Sequence, residues 1–417
     1  MIRSSLIILI LSCVPMVSGA QITIADYRSE VLDYSRSLRA SEAQLSASKA
    51  EVRRAKSAML PSLSVDANFD VAFGDMGDER RWSWGVRPQL SQTIYGGGSA
   101  RAEYNQARIA HDMAVASYDS SMLDAVYAAD NAYWTLSRAE IYCRAIEDYL
   151  SIIVSLKEVV AERYNEGYIS KSDLLQVESR MSDAEYQLSS ARQSYIIARH
   201  DFNSLRGVVP DADVTLAESI LDTLSMPYRC SESDLLVGHP LYDEALAAAE
   251  SASWDIRRVN ARYMPNLSVG VFGSWQPSMP NVAGAGTMLD GGAFVGLSVP
   301  IYRFGERRHA VQRARSNYEG SLWLSSDVRD NIIRNESNGW ANLQNSYSRV
   351  VTTRRNLDIA QENLEISTYS YNEGMATILD VLQAQLSWLQ IYTNAITAQY
   401  DYAVAVATYR YITATTP

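Results

Sequence analysis

After its first twenty positions this 417-residue chain lacks any apolar run of 18 residues, so the mature chain has no transmembrane helix. Cysteine is nearly absent, at three in all, which excludes a disulfide framework as the basis of the fold. Beyond the N-terminal segment only Cys143 and Cys230 remain, 87 residues apart. They either pair in an oxidising compartment or stand as ordinary thiols, and buried thiols are the preferred reading. Positive charge is in deficit, 37 Lys and Arg against 48 Asp and Glu for a net charge of −11; this argues against nucleic acid, because phosphate binding needs clustered basic residues. The four histidines, His111, His200, His239 and His309, carry no metal-ligand spacing. No HExxH, GxSxG or phosphate-binding GKS or GKT occurs. The expectation is therefore no enzyme, no cofactor and no metal. Glycine and proline are also sparse and bunched, leaving long stretches that favour helix.

The first residues read as an export signal. Arg3 gives the positive start, Leu6 to Leu11 the apolar centre and Ser18-Gly19-Ala20 a small-residue cleavage site. Lipidation at Cys13 is the competing reading, which Leu11-Ser12 before it fits poorly.

Two stretches 207 residues apart are copies. Residues 163–178 read RYNEGYISKSDLLQVE and residues 370–385 read SYNEGMATILDVLQAQ. The same offset carries IYGGGSAR at 94–101 onto IYRFGERR at 301–308. A shared offset marks a duplicated fold unit. Its parts are an export signal (1–20), a first repeat (21–206) with a β-hairpin at about 61–95, a connecting segment (207–238) and a second repeat (239–417) with a β-hairpin at about 265–302.

Heptads dominate each copy. Leu174, Val177, Met181, Ala184, Leu188, Ala191, Tyr195, Ala198, Phe202 and Leu205 keep a 3-4 spacing, repeated from Val381 to Ile412. Such a period holds one seam against a partner helix. Proline-free residues 99–163 and 306–369 predict two further long helices, turned back by Gly167 and Gly374. Shorter helices are predicted at about 22–58 and 240–262. Heptads alone suit a soluble coiled-coil scaffold.

The strands point elsewhere. Leu63, Val65, Ala67, Phe69, Val71 and Phe73 alternate with Ser64, Asp66, Asn68 and Asp70. Similar alternation runs through Trp82 to Ile94, Leu267 to Trp275 and Ala293 to Ile301. Period-two patterning over about ten residues marks a strand with one apolar and one wet face. Trp82, Trp84, Trp275, Tyr95 and Tyr302 are placed to form interfacial aromatic belts. Four strands cannot close a barrel, since such barrels start at about eight, and open edges are not tolerated in lipid. Copies of the chain must therefore share one.

Together, the repeated YNEG…D(L/V)LQ segments at 164–176 and 371–383, the junctions at 94–107 and 301–314 and the strand entries MLPSLSV (59–65) and MPNLSV (264–269) resemble the TolC family of outer-membrane efflux and secretion channels. The resemblance spans nearly the whole mature chain. It implies a mainly α fold with a small transmembrane β part: duplicated antiparallel coiled-coil helices in a trimeric α-barrel tunnel, and four strands per chain in a shared 12-stranded β-barrel. It implies a homotrimer in outer-membrane lipid, fed by an inner-membrane RND or ABC transporter through a periplasmic adaptor. Residues 207–239 and the chain ends would make a belt around the tunnel. Glu166, Gly167, Glu373 and Gly374 would be adaptor-docking tips; Asp380, Gln383, Asp173 and Gln176 would face the pore entrance. A family pattern of two aspartates is half met, since Gln383 replaces the second, which predicts weaker cation selectivity. Asp173 reads equally well as a helix cap after Ser170. Three Asp380 carboxylates brought together would have raised proton affinity. Two hypotheses of different class follow: an exit duct without chemistry of its own, and a soluble periplasmic scaffold.

Overall fold

The computed structural model describes residues 21–71, 82–222, 224–277 and 286–415. The expected export signal, with Arg3 and Cys13, and the expected strand residue Phe73 lie outside the described residues. The elements in chain order are α1 (Ile24–Tyr34), α2 (Arg36–Ser57), β1 (Ser62–Val71), β2 (Trp82–Gly96), α3 (Ser99–Asn165), α4 (Lys171–Leu205), α5 (Glu232–Leu236), α6 (Pro240–Ala261), β3 (Asn266–Pro277), β4 (Thr287–Ser298), α7 (Glu306–Asn372) and α8 (Ile378–Ile412). Helices α3 and α7 are both 67 residues and α4 and α8 both 35, so the 207-residue offset holds for whole elements. At 1.5 Å per residue each long helix measures about 100 Å. The first helix differs from expectation: Ser35 leaves helical geometry at φ −50°, ψ 114° and splits 22–58 into α1 and α2.

Contacts divide the chain into two compact units, each drawing on both repeats: residues 1–35, 124–229 and 338–411, and residues 36–123, 230–337 and 412–417. In the first unit, heptad residues Val177, Ala184, Leu188 and Ala191 of α4 are buried against Ile146, Ile153 and Val160 of α3. Alanine takes three alternate seam positions in a row, Ala184, Ala191 and Ala198, which leaves little side chain between the helices there. Helix α8 buries two stripes. Val381, Leu382 and Leu389 join the α3–α4 cluster, while Ala398, Tyr402 and Tyr409 pack on Leu343 and Val350 of α7. The lateral order is thus α4, α3, α8, α7. Helix α1 docks through Tyr27, stacked on Phe202 with centroids 3.8 Å apart and donating its hydroxyl to the Phe202 carbonyl at 3.0 Å. Arg28 forks onto the buried Asp130, where losing one partner would strand a charge. Ile22 pairs with Leu216 of the connecting segment, and the Tyr133 hydroxyl bonds the Glu218 carboxylate. Cys143 and Cys230 are both half-buried and unbridged, so the buried-thiol reading is too strong.

The second unit carries one antiparallel sheet, ordered β1-β2-β3-β4. Its register aligns like with like. Leu63 faces Leu90, Ala67 faces Val86 and Phe69 faces Trp84; Leu90 faces Val271; Val269 faces Val295 and Leu267 faces Leu297. One face is therefore apolar from edge to edge, and it is uncovered: Leu63, Phe69, Leu289 and Val295 are each more than 60% exposed. Pro88 sits in β2 opposite Val65, and the β2–β3 ladder skips it, running from Val86–Trp275 to Gln89–Phe272. Proline offers no N–H there. Strand β4 stops at Ser298, before Pro300, so the expected strand positions Val299, Ile301 and Tyr302 fall outside it.

Each strand-to-helix junction turns through two left-handed residues, Gly97 (φ 63°) with Gly98 (φ 84°), and Phe304 (φ 45°) with Gly305 (φ 81°). The glycines at 97 and 98 are not equivalent. A Cβ on Gly97 would lie 2.5 Å from the Met264 Cβ and 2.8 Å from the Ala261 carbonyl oxygen, whereas one on Gly98 meets nothing within 4 Å. Gly98→Ala should cost only backbone strain of about 1–2 kcal/mol. Gly97→Ala adds a backbone clash and should lower the thermal midpoint clearly further. Equal midpoints for the two variants would show that the α6–α3 approach is loose.

Candidate functional site

The duplicated motif builds two helix-turn-helix tips, in which the glycine and the later aspartate each have a structural task. At the end of α3 the amide of Gly167 donates to the Tyr164 carbonyl and that of Tyr168 to the Arg163 carbonyl. At the end of α7, Gly374 donates to Tyr371 and Met375 to Ser370. This pairing satisfies the last helical carbonyls and needs a left-handed residue; Gly167 and Gly374 supply it at φ 80° and 76°. Both glycines have open space around them, and Glu166, Gly167, Glu373 and Gly374 are all exposed. Tyr168 and Met375 are exposed beside them.

The following helix start repeats as well. Ser170 accepts the Asp173 amide through its hydroxyl while the Asp173 carboxylate accepts the Ser170 amide at 3.1 Å. Thr377 and Asp380 do the same, with the Asp380 carboxylate taking the Thr377 amide at 2.9 Å and hydroxyl at 2.7 Å. Both aspartates are thus the third residue of a reciprocal cap. The sequence reading weighed that cap for Asp173 alone; Asp380 shares it.

Thr377 also sets the charge. Its hydroxyl and then its amide hold the Asp380 carboxyl below the ordinary 3.8, because they bond the ionised form. Within one chain the shift thus runs opposite to the rise expected from three crowded carboxylates. A carboxyl whose folded pKa is depressed binds fewer protons folded than unfolded. The cap's contribution is therefore present above the unfolded value and is lost as pH falls through the lower folded one. Gln176 reaches the Ser172 hydroxyl at 3.5 Å, and Gln383 is exposed.

One residue ties the tips together. The Arg163 guanidinium donates to the Tyr371 carbonyl at 3.2 Å and the Asn372 carbonyl at 3.0 Å, and lies 4.7 Å over the Tyr371 ring. It caps the α7 terminus, where cations are favoured. Tyr371 is buried beneath it, and its hydroxyl has no partner. Comparing the two copies conceals Arg163, because its counterpart is Ser370. The signal available was an arginine directly before the YNEG turn.

The aromatic candidates fall at two levels of the sheet. Trp82, Trp84 and Trp275 lie at its hairpin end, with Trp84 and Trp275 edge-on at 4.9 Å; Tyr95 lies in β2 and Tyr302 beyond β4, at the helix end. From Trp84 to Tyr95 the strand climbs about 36 Å at ~3.3 Å per residue. A tilt of roughly 40° reduces this to about 28 Å, near the ~25 Å apolar band of membrane barrels. Among the described residues no group of His, Cys, Asp and Glu could hold a metal, and no helix is long and apolar enough to cross a membrane.

If Arg163 clamps the tips, Arg163→Ala should speed hydrogen exchange of the amides at 369–377 about tenfold or more, the equivalent of roughly 1.5 kcal/mol for a lost charged hydrogen bond. Arg163→Lys, which cannot fork and stack at once, should recover only part. Wild-type exchange in the alanine variant would show that the contact stabilises nothing.

The outer membrane efflux protein family model matches residues 27–208 and 233–414. The outer membrane efflux protein BepC of Brucella suis is 23% identical over 371 residues, 87% of this chain and 78% of its own length. The outer membrane protein TolC of Escherichia coli is 22% identical over 389 residues, 88% and 77%, and the protein CyaE of Bordetella pertussis 23% over 369, 86% and 77%. In fold the chain matches a crystal structure of CusC at a TM-score of 0.83 and 16% identity, over 95% of this chain and 92% of that one. It matches VceC of Vibrio cholerae at 0.80 and 18%, over 94% and 96%. With two full-repeat matches, four strands and the paired long helices in the same order, this chain belongs to the outer membrane efflux protein family and serves export at the outer membrane.

Proposed function

We propose that three copies of this chain form one continuous exit duct, receiving cargo from an inner-membrane RND or ABC transporter through a periplasmic adaptor. The observation that carries this reading is a pair of open edges. Among the described residues strands β1 and β4 each have one neighbour in the sheet, and an open edge within hydrocarbon leaves backbone groups unpaired. Closing three sheets edge to edge makes 4 × 3 = 12 strands. Helices tell the same story: α4 and α7 flank the helical layer, and each retains exposed apolar residues, Leu175, Tyr186 and Ile196 on one and Val351, Ile359 and Ile366 on the other. Leu175 and Ile196, like Ile359 and Ile366, are separated by whole heptads, so α4 of one copy can pack along α7 of the next. Such a contact is heterologous and closes into a ring. A soluble scaffold would leave the sheet's apolar face in water, well beyond an ordinary surface patch.

In this reading the tips are the periplasmic entrance. Asp380, Asp173, Gln383 and Gln176 line it, and Glu166, Gly167, Glu373 and Gly374 meet the adaptor, glycine allowing close backbone approach. The two repeats, 21–206 and 239–417, each supply one hairpin to the barrel and one coiled pair to the tunnel, joined by 207–238. The chain performs no chemistry; energy comes from the pump.

Planar-bilayer recording tests the entrance. Asp380→Ala should reduce cation selectivity, and Thr377→Val should move the pH at which selectivity is half lost upward, since the bonds that keep the carboxylate ionised are gone. Unchanged selectivity in both would remove Asp380 from the pore. Glu373→Arg, at an exposed tip position with ordinary backbone geometry, should impair export in cells while assembly persists; unchanged export would remove this tip as a docking surface.

A further inference from the structure

Charge has a polarity along the long helices that the duct reading does not use. The chain as a whole carries −11. Yet the helix–sheet junctions and about three helical turns beyond them, residues 46–61, 97–110, 250–265 and 299–317, hold fourteen Lys and Arg against five Asp and Glu, a surplus of nine positive charges. At the tip ends, residues 154–182 and 361–389 hold four basic against nine acidic side chains. Of the fourteen, all but Arg258 are exposed. Local ion pairs engage Arg54 with Glu51 and Glu103, Arg258 with Asp255 and Arg303 with Glu306. The surplus already counts all five acids.

At the β4–α7 junction this basic collar is threaded with bare apolar groups: Ile301, Tyr302 and Phe304 are 93%, 73% and 89% exposed, interleaved with Arg303 and followed by Arg307 and Arg308. Phe304 holds φ at 45°, in the place that Gly97 fills in the first repeat. Its ring meets Tyr302 edge-on at 4.8 Å. A left-handed phenylalanine is strained, and apart from the Tyr302 edge its ring lies in solvent, a placement that suits an external contact.

We propose that the collar is a docking surface for a leaflet of anionic glycerophospholipid: the arginines take the headgroup phosphates, and Phe304, Tyr302 and Ile301 seat at the acyl boundary. The inference rests on the placement of the sheet in the membrane proposed above. Two observations choose the occupant. The collar adjoins the apolar sheet face, whose height matches a hydrocarbon layer, which sets its arginines at headgroup level; mixed aromatic and basic side chains belong there. Its charge also opposes that of the rest of the chain, so it complements an anionic surface.

The test is thermal unfolding of the purified full-length protein in detergent supplemented with phosphatidylglycerol or with phosphatidylcholine. Wild type should be stabilised several degrees more by the anionic lipid, and that excess should vanish at about 0.5 M salt, where screening is nearly complete within a few ångströms. Arg303→Gln, Arg307→Gln and Arg308→Gln combined should halve the excess or more, while Arg354→Gln with Arg355→Gln, far along α7, should leave it intact. Phe304→Gly should unfold at a higher temperature in detergent alone yet gain less from either lipid. Equal stabilisation of wild type by both lipids, an undiminished excess in the triple variant, or the same excess from soluble polyphosphate would overturn the proposal. Conductance separates the two readings: channels formed by the triple variant leave the duct standing whatever its lipid response, and absent channels in wild type would sink the duct itself.

Discussion

Backbone amides and carbonyls in hydrocarbon must find partners, and a four-stranded sheet cannot supply them all. That constraint organises the molecule. The apolar face, continuous from Leu63 across Leu90 and Val271 to Ala293, suits lipid only if β1 and β4 are both covered by strands. The helices carry the same incompleteness in another form. Helix α8 buries two seams and is fully employed, but α4 buries one and α7 faces it from the other flank of the layer. On the proposed reading, a chain with two strand edges and two exposed helix flanks is a unit that its copies complete.

The tips show how much of a repeated motif local structure alone requires. Gly167 and Gly374 are required by the turn, and Asp173 and Asp380 by the caps that restart the helices. Those needs account for the glycine of Y-N-E-G and for the later aspartate in both copies. The same cap bonds from Thr377 hold the Asp380 carboxyl below the ordinary range; what a structural account does not require is that the turns be exposed and unobstructed. Arg163 then adds a link that exists in one copy only, so the tips are equivalent in backbone and different in connection.

Much of this was legible from the sequence because duplication reads out independently of conformation. The 207-residue offset located the paired long helices and both turns to within a few residues, and period-two alternation located the hairpins. The misses have particular causes. Ser35 breaks the first helix without a proline or glycine to announce it. Pro300 ends β4 before the alternating pattern does, since Val299 and Ile301 continue the period outside the ladder. Arg163 escaped because a comparison of copies keeps only what recurs. The same bias made Asp380 look purely functional: the Thr377 cap was visible as T-x-x-D, but a family pattern drew attention to the carboxylate's charge before its hydrogen bonds. Phe304 was passed over since its strain is a property of φ, which no residue pattern encodes.

The account depends most on the incompleteness of the single chain. Native mass spectrometry of the protein extracted from membranes in mild detergent measures it directly. A species of three chains, persisting without crosslinker, is predicted. A stable monomer released into buffer without detergent would contradict the account, because it would mean that the apolar sheet face and all four open edges are satisfied within one copy.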